Sequence, residues 1–126
     1  MRKILSVEDN AEIRRLISWS LEDESDFELH FAVDGAQGWD KVRDLKPALV
    51  LLDVMMPGDV DGFEVCRRIK DDESLKATKV VMLTARAQRA DVETSLRLGA
   101  DTYMLKPFSP AKLIDTIHKL LDVPAA

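Results

Sequence analysis

Acidic side chains directly follow two of the short apolar runs in this 126-residue sequence. Glu8 and Asp9 come after the first run, and Asp53 comes after the third. Thr84 follows the fourth run and Lys106 follows the fifth. In an open parallel sheet, ligands bind beyond the carboxyl ends of the strands. We therefore expect three carboxylates, a hydroxyl and an ammonium group to meet at one edge of such a sheet.

The charges of this set indicate its chemistry. Neighbouring carboxylates raise one another's pKa unless a cation neutralises them. An all-oxygen site suits Mg²⁺ better than zinc, and no cluster of Cys and His indicates another metal. With the ion bound, a carboxylate oxygen of Asp53 could attack a phosphoryl group and form an aspartyl phosphate. Mg²⁺, Lys106 and Thr84 would then stabilise the charge on the transferred group.

The elements that must position these residues follow from the alternation of apolar runs with amphipathic stretches. This alternation predicts an α/β fold, in which helices cover both faces of a parallel sheet. The third run is apolar throughout, which is typical of a central strand buried on both faces. The predicted strands are Ile4–Val7, Phe27–Val33, Ala48–Leu52, Val80–Leu83 and Thr102–Leu105.

Two helix starts can be predicted from capping residues. Asp61 and Glu64 fit a capping box, in which each side chain bonds a backbone N–H of the other residue. Ser109 precedes Pro110, which suits the first turn of a helix, so the last helix should begin there.

The composition fits one domain with a single core, since 46% of the positions are hydrophobic. We expect residues 1–122 to form this domain and residues 123–126 to be a C-terminal tail or a truncated linker. The lone Cys66 favours a reducing compartment and is expected to be a core thiol. Trp19 and Trp39 are expected to be packing residues within helices.

The charge and the short apolar runs exclude some classes of partner. The chain has 18 basic and 23 acidic residues, a formal net charge of −5, which disfavours binding to nucleic acid. Its longest apolar run is far too short to span a bilayer. We therefore expect a cytoplasmic protein with no direct nucleic-acid or membrane partner.

Four segments together resemble the receiver domain of two-component response regulators, and the likeness covers nearly the whole chain. Each segment alone is a weak signal, but the four in this order are specific. The resemblance implies a flavodoxin-like, doubly wound sheet of five parallel strands in the order 2-1-3-4-5. The four segments are Val7–Asn10, Leu51–Gly58, Met82–Ala85 and Gly99–Phe108.

The resemblance also implies a role for each residue at the site. Asp53 would accept a phosphoryl group from a sensor histidine kinase or a histidine phosphotransfer protein. Asp9 and Asp53 would bind Mg²⁺ directly, Glu8 would bind it through water, and the main-chain carbonyl of Met55 would complete the protein ligands.

Three further residues would act on the phosphorylated form. Thr84 would move toward the phosphoryl oxygens, and Tyr103 would rotate inward behind it and change the output face. Lys106 would pair with the phosphoryl group, and its peptide bond to Pro107 would be cis.

The sequence departs from the family pattern in the loop after the third strand. Asp59 and Val60 both stand between Gly58 and Asp61, where the family has one residue, so the path of the loop from Pro57 to Gly62 is left open.

The residues that flank the acceptor also bear on the phosphoryl lifetime. Met55 and Arg86 occupy the two flanking positions, and an apolar Met55 cannot orient an attacking water, which predicts slow self-dephosphorylation.

The favoured hypothesis is a regulatory switch that catalyses only its own phosphorylation and dephosphorylation. Its output would be a downstream target protein or a severed effector domain, and it would be a monomer or a phosphorylation-dependent dimer. Two alternatives remain. One is a hydrolase or transferase that passes through an aspartyl phosphate, and the other is a receiver-like binding scaffold that is never phosphorylated.

Overall fold

A five-stranded parallel sheet forms the centre of the computed structural model, which describes residues 2–85 and 89–121. The strands are β1 (Arg2–Val7), β2 (Phe27–Ala32), β3 (Leu49–Asp53), β4 (Lys79–Thr84) and β5 (Thr102–Leu105). The helices are α1 (Ala11–Ser20), α2 (Gly35–Leu45), α3 (Gly62–Asp71), α4 (Arg89–Arg97) and α5 (Pro110–Leu121), with a 3₁₀ turn at Glu73–Leu75.

The strand order is β2-β1-β3-β4-β5, which confirms the predicted fold. All five residues of β3 are buried, as the continuous apolar run predicted for a central strand. Four of the predicted strands differ from the observed ones by one or two residues at their ends, and the fifth, Thr102–Leu105, has the predicted bounds. The acceptor candidate Asp53 is the last residue of β3, so its backbone is held in the sheet beside Leu83 of β4.

Side chains of β1, β3 and β4 enter two different cores, because strand side chains alternate between the faces of a sheet. Leu5 and Val7 join the core under α2 and α3, while Ile4 joins the core under α1 and α5. Cys66 of α3 is fully buried in the first core, and burial raises the pKa of its thiol to about 11. The expectation of a core thiol is therefore confirmed.

The predicted helix starts are found at the expected residues, with one difference. Asp61 precedes α3, and its carboxylate accepts a hydrogen bond of 2.9 Å from the backbone N–H of Glu64. The carboxylate of Glu64, however, pairs with the guanidinium of Arg67 at 2.9 Å, so only half of the capping box forms. Before α5, the hydroxyl of Ser109 accepts from the backbone N–H of Lys112 at 3.1 Å.

The additional residue in the loop after β3 is accommodated by contact with α2. Val60 packs against the core beside α2 and α3. A Cβ atom at Gly35, the first residue of α2, would lie only 1.9 Å from the carbonyl oxygen of Val60. Glycine is therefore required at position 35 for the loop to take this path, which the sequence had left open.

The expectation that both tryptophans are packing residues is wrong for Trp19. Its side chain is 71% exposed, whereas Trp39 is half-buried against the core. The physical reason is the phase of α1, because Ile17 faces the core and a residue two positions later points to the opposite side of a helix.

A Ser6→Ala variant is expected to be more stable than the wild type by about 1 kcal/mol, because a buried hydroxyl without a partner costs free energy. Ser6 lies in β1 with no exposed surface, and its hydroxyl has no hydrogen-bond partner among the described residues. Urea unfolding would measure the difference. An exposed loop serine, Ser25→Ala, is the matched control and should change stability by less than about 0.5 kcal/mol. A loss of stability in Ser6→Ala would contradict the prediction.

Candidate functional site

Three carboxylates meet where β1 and β3 end. Ligand oxygens of Glu8, Asp9 and Asp53 all lie within 4.8 Å of one another. Glu8 has no exposed surface and Asp53 is 5% exposed, while Asp9 is open to solvent. The sequence prediction that these three side chains converge at one edge of the sheet is thus realised in the structure.

The ammonium group of Lys106 enters the same cluster from the end of β5. Its Nζ lies 2.7 Å from Oε1 of Glu8 and 3.2 Å from Oδ1 of Asp53. The backbone N–H of Lys106 donates to the carbonyl oxygen of Thr84 at 2.8 Å, so the ends of β4 and β5 are joined beside the acids. The peptide bond between Lys106 and Pro107 is cis, as the resemblance implied.

The carboxyl group of Asp53 has a raised pKa of about 7, compared with an ordinary value of 3.8. Burial is the largest cause, followed by the hydrogen bond with Glu8 and by the charge of Glu8, while Lys106 acts in the opposite direction. One ammonium group thus does not fully neutralise two buried carboxylates. The site favours a further positive charge, since a cation stabilises ionised carboxylates.

The geometry of Glu8 also leaves coordination capacity. Its Oε1 receives no hydrogen bond of good geometry among the described residues, although the Lys106 ammonium lies beside it. Hard divalent cations prefer carboxylate oxygens as ligands. The donor set of Glu8, Asp9 and Asp53 is therefore chemically suited to a divalent metal ion.

Two residues that support the acids were not predicted as site residues. The guanidinium of Arg14 donates to the main-chain carbonyl of Glu8 at 2.8 Å, and the backbone N–H of Asn10 donates to Oε2 of Glu8 at 3.2 Å. Asn10 also caps α1, because its side chain accepts from the backbone N–H of Glu12 at 2.8 Å. The position of Asn10 directly before an amphipathic stretch would have identified it as a helix cap. The contact of Arg14 has no local sequence signal.

The remaining predicted residues occupy different environments. Thr84 is buried at the end of β4, and Tyr103 of β5 is 38% exposed. The backbone N–H of Met55 donates to Oδ1 of Asp53 at 3.2 Å, while the Met55 side chain is 74% exposed beside it. Arg86 lies outside the described residues.

Gly62 brings the start of α3 against the acceptor strand. Its backbone N–H donates to the carbonyl oxygen of Val54 at 3.3 Å. A Cβ atom at this position would lie 2.1 Å from the carbonyl oxygen of Asp53. Glycine thus allows α3 to begin in direct contact with the backbone that carries the acceptor.

Comparison with known families defines the class of this protein. Residues 4–118 match the family model described as the response regulator receiver domain. The chain therefore belongs to the family of response regulator receiver domains. As such it is a regulatory domain of two-component signalling, in agreement with the resemblance carried by its four segments.

Individual relatives support this assignment. The chain is 42% identical over 123 residues to the transcriptional regulatory protein ResD of Bacillus subtilis, covering 94% of this chain and 48% of ResD. It is 38% identical over 120 residues to the DNA-binding response regulator MtrA of Mycobacterium tuberculosis, covering 95% and 50% of the two chains. Among solved structures, the chemotaxis protein CheY4 of Vibrio cholerae aligns with a TM-score of 0.87 and 30% identity, covering 96% and 99%.

These relatives correct the expectation that nucleic acid is excluded as a partner. MtrA is named as a DNA-binding response regulator, and the chain spans about half the length of the curated relatives that it matches. The net charge of −5 describes only the residues in this sequence. A charge balance over one domain does not determine what a longer protein binds, so the exclusion was wrong.

In the part of the chain that the structure describes, no helix is both long enough and apolar enough to cross a bilayer.

Proposed function

We propose that Asp53 is the phosphoacceptor of a signalling switch and that its phosphodonor is a histidine kinase or a histidine phosphotransfer protein. The observation that carries this proposal is the contact of one ammonium group, Lys106 Nζ, with both Glu8 and Asp53. This arrangement places a nucleophile, a second carboxylate and a cation at one edge. Beyond the nucleophile itself, phosphoryl transfer depends chiefly on positioning and on electrostatic stabilisation of the transferred group.

The transfer forms one bond and breaks one. A carboxylate oxygen of Asp53 attacks the phosphorus atom, and the bond from phosphorus to the donor atom breaks, with its electron pair leaving on the donor. The attack requires the ionised form of Asp53, whose pKa of about 7 is raised mainly by burial. Lys106 favours that ionised form and then contacts the phosphoryl oxygens. The hydroxyl of Thr84 can donate to the same oxygens from the adjacent strand end.

A divalent cation fits the donor set, and we propose Mg²⁺ as the ion. Asp9 and Asp53 would hold it directly, Glu8 through water, and the main-chain carbonyl of Met55 would complete the protein ligands. When bound, the ion supplies positive charge for the carboxylates and for the phosphoryl group. Within the chain, Arg14 and Asn10 hold the backbone and carboxylate of Glu8, which keeps this loop in place.

The response to phosphorylation would pass through Thr84 and Tyr103. Thr84 is buried next to the acids, and Tyr103 is in register with Met82 on the neighbouring strand, two residues before Thr84. A phosphoryl group that binds the Thr84 hydroxyl would favour the conformer in which Tyr103 turns inward. Phosphorylation then shifts a population between two states.

Exposure to a small phosphodonor such as acetyl phosphate tests the proposal. With Mg²⁺, the intact mass is expected to rise by one phosphate group, and without a divalent cation it should not. A hydrolase would instead turn over a generic phosphate ester continuously. A binding scaffold would show neither the mass increase nor Mg²⁺ binding, and either result would contradict the proposed switch.

A Met55→Asn variant is expected to lose its phosphoryl group about tenfold faster than the wild type, because an amide can orient the attacking water and a thioether cannot. The exposed side chain of Met55 lies beside the acceptor, so the change should leave the core intact. The decay of the phosphorylated mass after removal of the phosphodonor measures the lifetime. Met55→Leu is the matched control, and equal lifetimes for Met55→Asn and wild type would contradict the role of position 55.

A further inference from the structure

A cavity lies at the opposite end of the sheet from the acids, where β1, β3 and β4 begin. Its volume is about 630 Å³, which falls within the usual size range of small-molecule sites. Four basic residues line it, and none of its lining residues in the described part of the chain is acidic. The basic residues are Arg2, Lys3, Lys46 and Lys79.

The three lysines of this cavity form no ion pair within the part of the chain that the structure describes. Many cations of the chain are paired, as in the contact of 2.9 Å between Lys70 and Asp101. By contrast, Lys3, Lys46 and Lys79 make no ion pair and no side-chain hydrogen bond with any residue that the structure describes. Like charges that share a cavity repel one another, and a bound anion would relieve this repulsion.

The acids outside the cavity do not replace such an anion. Asp72 lies near Lys46, but its pKa is lowered chiefly by hydrogen bonds from Ser74 and only to a smaller extent by the charge of Lys46. Glu28 is similar, since its pKa is lowered first by the hydrogen bond with His30 and only weakly by Lys3. Both carboxylates thus have other principal partners.

The backbone of Lys46 explains how this residue reaches the cavity. Lys46 ends α2 with φ of 45° and ψ of 63°, and it is the one described residue other than glycine with a positive φ. Glycine is favoured at such a helix end, because a side chain disfavours the left-handed conformation. This left-handed cap, whose backbone N–H donates to the carbonyl oxygen of Val42, places Lys46 among the residues that line the cavity.

The other lining groups define the class of ligand. The hydroxyl of Thr78 already donates to the carbonyl oxygen of Pro47 at 2.8 Å, and that of Ser74 donates to Asp72 at 2.7 Å. The remaining surface is largely apolar, with Leu45 and Leu120 among the lining residues. The cavity thus offers several ammonium groups and an apolar wall, which suits a ligand with more than one negative charge.

We propose that this cavity binds a small anion with linked phosphoryl groups, either a nucleoside diphosphate or inorganic pyrophosphate. The three lysines would contact the phosphoryl oxygens, and the apolar wall would contact the organic part of a nucleotide. The site is separate from Asp53 and does not depend on its phosphorylation.

Isothermal titration of the protein with ADP and with pyrophosphate, in the absence of Mg²⁺, tests the proposal. Saturable binding is expected, and Lys46→Gln and Lys79→Gln should each weaken it about tenfold. Lys76→Gln is the matched control, because Lys76 lies in the same region but does not line the cavity. Its affinity should stay within about twofold of the wild type.

Amide chemical shifts locate the bound anion and verify the fold of each variant. Shift changes are expected at Ser74, Thr78 and Leu121. Tighter binding of ADP than of pyrophosphate supports the nucleotide form, and equal binding supports the inorganic form. The proposal is overturned if neither anion binds saturably, if Lys76→Gln weakens binding as much as Lys46→Gln, or if the shifts centre on Asp53 and Lys106.

Discussion

Replacing Asp53 with asparagine is expected to abolish phosphorylation by a small phosphodonor and Mg²⁺. An amide cannot supply the anionic oxygen that attacks phosphorus, so the loss should be complete and not merely a slower reaction. Intact mass spectrometry of wild type and Asp53→Asn under the same conditions measures it. Asp59→Asn is a suitable control, because Asp59 is an exposed acid in the adjacent loop and should leave the mass increase unchanged.

The same variant is expected to remain folded, which separates lost chemistry from lost structure. Burial is the main cause of the raised pKa of Asp53. At pH values between the ordinary pKa of 3.8 and the raised pKa of about 7, the folded state therefore holds a proton that the unfolded state has released. Metal-free wild type should therefore lose stability as the pH rises from about 4, near the ordinary pKa of 3.8, through about 7. Asp53→Asn does not titrate there, so above pH 7 it should be the more stable of the two. A lower unfolding temperature for Asp53→Asn at pH 8 would contradict this explanation.

Removing the ammonium group in Lys106→Ala is expected to slow phosphorylation by about 100-fold, the usual effect of losing one group that stabilises transition-state charge. The metal-free variant should also lose roughly 3 kcal/mol of stability at neutral pH, because the charge of the fully buried Glu8 then has no cation beside it. Intact mass spectrometry of samples quenched at successive times gives the phosphorylation rate, and urea unfolding gives the stability.

Two controls distinguish a specific effect of Lys106→Ala from general damage to the fold. Lys112→Ala removes an exposed ammonium group from α5 and should change neither quantity. Added Mg²⁺ should restore part of the stability of Lys106→Ala, since the ion places positive charge between the same carboxylates. A phosphorylation rate for Lys106→Ala within about twofold of wild type would contradict the role that we assign to Lys106.

Much of the fold and the convergence of the site could be predicted because both depend on local signals. The apolar run that ends at Leu52 defines a buried strand, and the parallel sheet then brings Asp53 to the same edge as Glu8 and Lys106. The start of α5 was equally readable, because Ser109 and Pro110 carry the capping chemistry themselves.

The features that could not be predicted depend on how separate elements pack against one another. The contact from Arg14 to the carbonyl oxygen of Glu8 depends on the angle between α1 and β1, which no local pattern encodes. The packing of Val60 on Gly35 likewise appears only in the folded loop. The exposure of Trp19, by contrast, was readable from its position opposite Ile17 on α1.

The position of the phosphoryl group tests the central claim most directly. Borohydride reduces an aspartyl phosphate to homoserine, so the phosphorylated protein can be reduced, digested and sequenced by mass spectrometry. Homoserine is expected at position 53, with an unchanged aspartate at position 9. Homoserine at any other position, or a stable phosphate on His30 or His118, would show that Asp53 is not the phosphoacceptor.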